Sequence, residues 1–126
     1  MDLRRAAGSV SSRFGGVIRM EEKSRLEQFK EFVELDPSDT FSRYALGMEY
    51  MSLFNFEEAI RHFQEVIRLD PKYDVAYFQA ALASQKLDLV DQAKAFLQKG
   101  IQVAEMKGDL HARDEMLAAL QNLEEE

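Results

Sequence analysis

Cysteine is absent from the sequence, which excludes disulfide bonds, thiolate metal sites and cysteine nucleophiles. A long apolar run is also missing, and since a transmembrane helix needs about 20 apolar residues, we expect no membrane partner. No continuous apolar segment near the N-terminus has the pattern of a secretory signal. The absence of cysteine fits a reducing compartment, so we expect the protein in the cytoplasm.

Motifs of catalysis and metal binding are equally scarce. The chain has no glycine-rich phosphate loop and no Gly-x-Ser-x-Gly turn. His62 and His111 lie far apart in sequence, and each is expected to be a solvated side chain on a helix. The acidic runs at 57–58 and 124–126 favour solvated helix ends, because a hard metal needs oxygens that converge from a tight loop. We therefore expect no catalytic residue, no metal, no cofactor and no enzymatic activity.

Negative charge dominates most of the chain. The net charge is −7, although residues 1–20, with four arginines against one aspartate, carry +3. Residues 21–126 therefore carry −10, and a body this acidic repels phosphate backbones, so we expect no nucleic-acid partner. The glycine pairs and serines of residues 1–20 favour a disordered leader or tail. Two other interpretations stay open for that segment, an organelle-targeting peptide or another function.

A repeat of 34 residues organises the rest of the sequence. Its best-formed copy, residues 40–73, contains Leu46-Gly47-x-x-Tyr50, then Ala59-x-x-x-Phe63, then Pro71. Phe29 and Pro37 occupy equivalent positions one period earlier, and Leu97 does so one period later. A fixed period of this length is typical of a repeat architecture, in which each unit buries its apolar face against the next.

Apolar periodicity predicts six helices, at about residues 21–35, 39–53, 57–69, 74–86, 92–107 and 109–123. The expected N-caps are Ser38 or Asp39 for the second helix, Asp91 for the fifth and Asp109 for the sixth. Asn55 suits a left-handed turn position, Asp88 a turn, and Gly108 the end of the fifth helix. Gly100 lies inside that helix and costs about 1 kcal/mol of helix propensity against alanine, so we expect another helix to approach closely there.

The motif residues of this repeat resemble the tetratricopeptide repeat family, although Arg43 and Tyr77 replace its leading tryptophan. The resemblance covers roughly residues 21–108. It implies an all-α fold, a right-handed α-solenoid with a half repeat, two full repeats and a C-terminal capping helix, in one domain over residues 21–126. Phe29, Phe63 and Leu97 would then fill the gaps between neighbouring repeats. The residues expected to face inward in the capping helix are Leu110, Met116 or Leu117, Leu120 and Leu123.

The resemblance also implies a concave groove, lined by the first helix of each repeat. The expected groove residues are Phe41, Tyr44, Met48, Met51, Val75, Phe78, Leu82 and Gln85. A surface rich in aromatic and methionine side chains suits an apolar peptide or helix. The alternative interpretation is that a neighbouring helix or a second copy of the chain buries these side chains.

Two functional hypotheses differ in what covers that surface. In the first, the chain is a non-catalytic scaffold that binds a protein or peptide partner in the groove. In the second, it is a structural subunit whose apolar face forms a homodimer interface. The second is attractive because two and a half repeats fall short of the three or more that such arrays usually need, and self-association would compensate.

Overall fold

Six α-helices follow one another through residues 23–125, which are the residues that the computed structural model describes. They are α1 (Arg25–Leu35), α2 (Thr40–Ser52), α3 (Phe56–Leu69), α4 (Asp74–Lys86), α5 (Val90–Lys107) and α6 (Leu110–Glu125). No β-strand occurs among these residues, so the all-α prediction is confirmed. The predictions for residues 1–20 lie outside the described residues. The start predicted for the first helix, at about Glu21, is wrong, because Lys23 and Ser24 are not helical and α1 begins at Arg25, after its cap Ser24.

Polar side chains fix where the first three helices begin. Ser24 accepts a hydrogen bond from the Glu27 N–H, and the Glu27 carboxylate accepts one from the Ser24 N–H, which forms a capping box for α1. Asp39 caps α2 by accepting from the Phe41 N–H at 3.2 Å, which settles the choice between the two candidates. Asn55 caps α3 in the same manner.

Two of the predicted turn and cap positions are wrong. The left-handed residue before α3 is Phe54, with φ of 61°, rather than Asn55, which follows it and uses its side chain as the helix cap. Asp91 does not cap α5, because that helix begins after Leu89 and has no side-chain cap. Asp91 instead lies in the first turn of α5, where a negative charge interacts favourably with the helix dipole. Asp88 turns the chain as expected, with φ of 60°.

The boundary between α5 and α6 follows the sequence pattern. Gly108 ends α5 with φ of 77°, a left-handed conformation that glycine adopts without steric cost. Asp109 then accepts a hydrogen bond from the Ala112 N–H at 3.2 Å and caps α6. The turn predicted at these residues is therefore confirmed.

Each helix packs against the next one in sequence, and α4 also touches α2 and α6. The pairs α2–α3 and α4–α5 correspond to the two full repeats. α1 is the second helix of a half repeat, and α6 closes the other end. This stacking of helix pairs is an α-solenoid, and the predicted architecture is confirmed.

The core lies between helices of neighbouring repeats. Phe63 and Leu97 are 0% and 1% exposed, so the predicted role of these gap-filling side chains is confirmed. Phe29, the equivalent residue of the half repeat, is only half-buried because α1 has a helix on one side alone among the described residues. A Cβ atom built on Gly47 would lie 2.6 Å from Phe63 Cε1, which shows how closely α2 and α3 approach.

Gly100 marks a second close approach. A Cβ atom there would lie 2.5 Å from the Sδ of Met116 in α6 and 2.8 Å from the Cβ of Tyr77 in α4, so the approach predicted at this glycine is confirmed. Met116 and Leu123 are buried in α6 as expected. The expectation for Leu110 is wrong, because this residue is 53% exposed and, as the first residue of α6, lies beside the turn rather than over the core.

Candidate functional site

α2 and α4 present the eight predicted groove residues at different depths. Three of these side chains are exposed: Phe41, Val75 and Gln85. Five are half-buried: Tyr44, Met48, Met51, Phe78 and Leu82. Phe41 is 69% exposed, which is a large apolar surface to leave in water.

One hollow brings three of the predicted residues together. Met51, Leu82 and Gln85 line it with Lys86, and its volume is about 520 Å³. Met51 and Leu82 provide an apolar surface against which a ligand could pack, while Gln85 and Lys86 provide polar groups. The other five predicted residues lie outside this hollow. Lys86 was not predicted, because a search for apolar residues on one helix face passes over a basic residue in the last turn.

Tyr44 already has partners within the chain. Its ring centroid lies 5.6 Å from that of Phe63 and 5.2 Å from that of Tyr73. Burial, and then the neighbouring Tyr73, raise the pKa of the Tyr44 phenol, so it stays neutral. Met48 and Met51 also pack against the core around Phe63. Part of the predicted groove therefore supports the core as well as facing outward.

A second pocket, which the sequence did not predict, lies beside α3. It has a volume of about 470 Å³ and is lined by Arg43, Arg61, His62, Gln64, Glu65 and Arg68. Arg61 Nη1 donates to both carboxylate oxygens of Glu58, at 2.8 and 2.9 Å, and Arg68 donates to the Glu65 carboxylate from both Nε and Nη2. The hydrogen bonds from Arg68 lower the pKa of the Glu65 carboxyl. The pocket is thus built largely from guanidinium groups.

The expectation that His62 is solvated is wrong. Its side chain is only 12% exposed, and its ring stacks on Tyr50 with centroids 5.3 Å apart and an interplanar angle of 5°. Burial is the main cause that lowers the His62 pKa, followed by the positive charges of Arg43 and Arg61. His62 is therefore a neutral imidazole that forms one wall of the pocket. His111, in contrast, is 86% exposed, as expected.

A third pocket occupies the equivalent place one repeat later. It has a volume of about 310 Å³ and is lined by Gln64, Ile67, Tyr77, Gln92, Ala95, Phe96 and Lys99. Tyr77 donates from its hydroxyl to the Pro71 carbonyl at 2.9 Å. The two pockets are related by the 34-residue period, but this one is mainly apolar whereas the pocket beside α3 is mainly charged.

Within residues 23–125, no cluster of three or more histidine, aspartate and glutamate side chains is arranged to hold a metal ion. No helix in the same part of the chain is both long and apolar enough to cross a membrane.

Two segments of the chain match the tetratricopeptide repeat, at residues 41–73 and 75–105. The first segment covers α2 and α3, and the second covers α4 and most of α5. No curated protein matches the chain.

Solved structures share this architecture. A tetratricopeptide repeat domain protein from Salinibacter ruber is 32% identical, with a TM-score of 0.66, over 71% of this chain and 90% of that one. PcrH, solved with the chaperone binding region of PopD, is 20% identical, with a TM-score of 0.75, over 78% and 74% of the two chains. The TPR2B domain of yeast Sti1, solved as a pHsp70 complex, is 18% identical, with a TM-score of 0.75, over 79% and 80%. At these lower identities, the last two show a common fold alone.

Proposed function

Because this chain belongs to the tetratricopeptide repeat family, we propose that it is a non-catalytic scaffold that binds an apolar peptide or helix of a protein partner along α2 and α4. The family membership supports an interaction module in general. The groove of Phe41, Tyr44, Met48, Met51, Val75, Phe78, Leu82 and Gln85 is our assignment of where the partner binds.

The observation that carries this assignment is the unburied apolar surface of α2 and α4. Phe41 and Val75 are 69% and 37% exposed, and the hollow at Met51 and Leu82 has room for further side chains. Burial of apolar surface contributes roughly 25 cal/mol per Å², so a partner that covers these side chains gains affinity from them. Methionine adapts its shape to different neighbours, which suits a surface that accepts a foreign helix or strand.

Two structures of the same fold support a polypeptide ligand by analogy. PcrH was solved with a segment of PopD, and the Sti1 domain was solved in a pHsp70 complex. Both are less than 25% identical to this chain, so their partners are not carried over. These two structures support the proposal in one respect, since they indicate that a solenoid of this fold is able to bind another polypeptide.

Affinity capture with paired variants tests the groove. Phe41→Ala combined with Val75→Ala removes two exposed side chains of the groove, so the fold is preserved and recovery of the bound partner falls. The matched control is Phe54→Ala combined with Val90→Ala, which makes the same two chemical changes at exposed positions, 79% and 37%, in the turn before α3 and at the start of α5. Equal recovery of every partner by both double variants would contradict the groove.

Self-association is the second candidate, and the exposed apolar side chains of α1 favour it. Phe32 and Leu35 are 50% and 83% exposed, and α2 is the only helix of residues 23–125 that packs against α1. A second copy of the chain would cover them. Light scattering on the wild type and on a Phe32→Ser, Leu35→Ser variant tests this candidate. A wild type that stays monomeric at high concentration rules it out, whereas a dimer that the variant loses supports it.

Four further expectations belong to the same proposal. We propose that the chain has no enzymatic activity, acts in the cytoplasm, and binds neither nucleic acid nor membrane. The charge of −10 on residues 21–126 supports the exclusion of nucleic acid. We also propose that residues 21–126 act as one domain, with residues 1–20 as a leader or tail.

A further inference from the structure

The charged pocket beside α3 differs from its counterpart in the second repeat by the side chains that line it. The 34-residue period puts Arg43 in the place of Tyr77, and His62 in the place of Phe96. The two side chains share one contact, because Arg43 Nη2 donates to the Pro37 carbonyl and the Tyr77 hydroxyl donates to the equivalent Pro71 carbonyl. The first repeat therefore carries a cation where the second carries a neutral phenol.

The N–H groups of the Arg43 guanidinium have few good hydrogen-bond acceptors. Its hydrogen bond to the Pro37 carbonyl is 3.4 Å long, and Nη1 lies 3.4 Å from His62 Nδ1. Its Nε is buried and has no acceptor among the residues described. Buried polar groups are normally paired, and a charged donor left without a good acceptor is destabilising. This side chain is therefore better suited to a complex than to the free chain.

The guanidinium groups of the pocket outnumber the carboxylates paired with them by one. Three guanidiniums line the pocket, and two of them have a carboxylate: Arg61 pairs with Glu58, and Arg68 with Glu65. No carboxylate of residues 23–125 lies within 4.0 Å of Arg43. With His62 neutral, the group has one positive charge in excess, inside a chain whose net charge is −7. One further carboxylate would complete the pattern.

We propose that this pocket binds the carboxylate of an acidic side chain from a protein partner, with Arg43 as its main donor. A guanidinium offers two parallel N–H groups that match the two oxygens of a carboxylate. The pocket, at about 470 Å³, has room for the end of a glutamate or aspartate side chain. None of the residues that line this pocket is one of the eight groove residues, so the carboxylate site is separate from the groove. It would orient a partner by charge, whereas the groove binds by burial of apolar surface.

A bound carboxylate also changes the titration of His62. Arg43 from α2, with Arg61, Glu58 and Glu65 from α3, are the charged groups that act on this imidazole. An added negative charge beside Arg43 opposes the effect of the two arginines and raises the His62 pKa. Binding is therefore accompanied by proton uptake in the pH range in which folded His62 titrates, on the acid side of its ordinary pKa of about 6.5, which a purely structural role of Arg43 would not produce.

Nuclear magnetic resonance titrations of the full chain test the proposal at constant ionic strength. The probes are sodium acetate, the capped peptide acetyl-Ala-Glu-Ala-amide, its glutamine analogue and inorganic phosphate. We expect acetate and the glutamate peptide to give saturable shifts of the Arg43 Nε–H and of the His62 ring, with a rise in the His62 pKa. The glutamine analogue should give no shift. Phosphate should bind more weakly than acetate, because the second negative charge of the phosphate dianion exceeds the single positive charge that the pocket has in excess.

Arg43→Tyr is the informative variant, because it recreates the side chain that the second repeat already accommodates. We expect it to fold and to bind the glutamate peptide about tenfold more weakly or worse, as loss of a charge-assisted hydrogen bond implies. Arg113→Gln removes one positive charge on α6, where Arg113 pairs with Asp114, and should leave binding unchanged.

Four results would overturn the proposal. The first three are no saturable shift with either carboxylate, equal affinity of the wild type and Arg43→Tyr, and tighter binding of phosphate than of acetate. Binding of acetate with exclusion of the glutamate peptide would also overturn it, since the ligand would then be a small free acid. These outcomes do not depend on the groove variants Phe41→Ala and Val75→Ala, so the two proposals fail separately.

Discussion

Phe54 and Asp88 have the same left-handed backbone, with φ angles of 61° and 60°, at equivalent positions of the two repeats. Each residue turns the chain from the first helix of its pair to the second. Aspartate tolerates this conformation because its short polar side chain makes local hydrogen bonds, whereas a phenylalanine there is a strained exception. The first repeat therefore stores strain at a turn where the second repeat does not.

We predict that Phe54→Asn raises the free energy of unfolding by about 1 kcal/mol, because the strain of a left-handed phenylalanine is removed. Little burial is lost, since the Phe54 side chain is 79% exposed. Urea unfolding followed by circular dichroism measures the change. Leu53→Asn is the control, because Leu53 is also exposed but has φ of −93°, and it should bring no gain. A lower stability for Phe54→Asn would show that the turn is unstrained.

Gly100→Ala is predicted to lower stability even though alanine is the better helix former. The new Cβ would lie 2.5 Å from Met116 Sδ and 2.8 Å from Tyr77 Cβ, and the second atom adjoins the backbone of α4. Overpacking costs about 1–3 kcal/mol, and two contacts below 3.0 Å place this site in the upper part of that range, above the gain of about 1 kcal/mol in helix propensity. Thermal unfolding, with the exposed Gln98→Ala of the same helix as the neutral reference, checks the sign. A gain in stability at Gly100 would refute the close contact.

The fold was predictable because its signals recur. Gly100 could be assigned to a close approach from one sequence, since glycine inside a helix has an energetic cost that packing must explain. The 34-residue period and Pro37 and Pro71 likewise placed the helix pairs. Caps were harder to predict, because Asp91 and Asn55 suit several neighbouring positions and only the local backbone decides which of them is used.

Phe63→Ala should lower the free energy of unfolding by about 3–5 kcal/mol, since the ring is 0% exposed and its removal leaves a cavity beside Gly47. The matched change Phe41→Ala removes the same atoms from a side chain that is 69% exposed, and should change stability by less than about 0.5 kcal/mol. Chemical denaturation of the two variants in parallel measures both values. Equal losses would mean that Phe41 belongs to the core and not to an open groove.

The candidate site was less predictable than the fold. The groove residues were chosen by helix face and apolar character, so Tyr44, which also packs on Phe63, was not distinguished from Phe41. The charged pocket was missed because histidine and arginine are usually solvated. One signal was present, since His62 aligns with Phe96 across the repeat, at a position that packs against the core. Comparison of the repeats would have marked it as interior.

The surroundings of His62 determine how acid affects this protein. In the folded chain, burial and then Arg43 and Arg61 lower the pKa of the imidazole. In the unfolded chain the pKa is near its ordinary value of about 6.5. Below that pH the unfolded state binds a proton that the folded state does not. The contribution of neutral His62 to stability is therefore present above about pH 6.5 and is lost as the pH falls toward the lower folded-state pKa.

We predict that the wild type loses more stability between about pH 7.5 and about pH 5.5 than His62→Phe does, because phenylalanine, as at Phe96, cannot bind the proton. Urea unfolding at both pH values measures the difference, and carboxylates that titrate in this range contribute equally to both proteins. His111→Gln, at a side chain that is 86% exposed, should retain the full pH dependence of the wild type. Equal losses of stability in His62→Phe and in the wild type would contradict this prediction, because the imidazole would then have the same pKa in the folded chain as in water. Burial against Tyr50 and the neighbouring arginines both oppose its protonation in the folded chain.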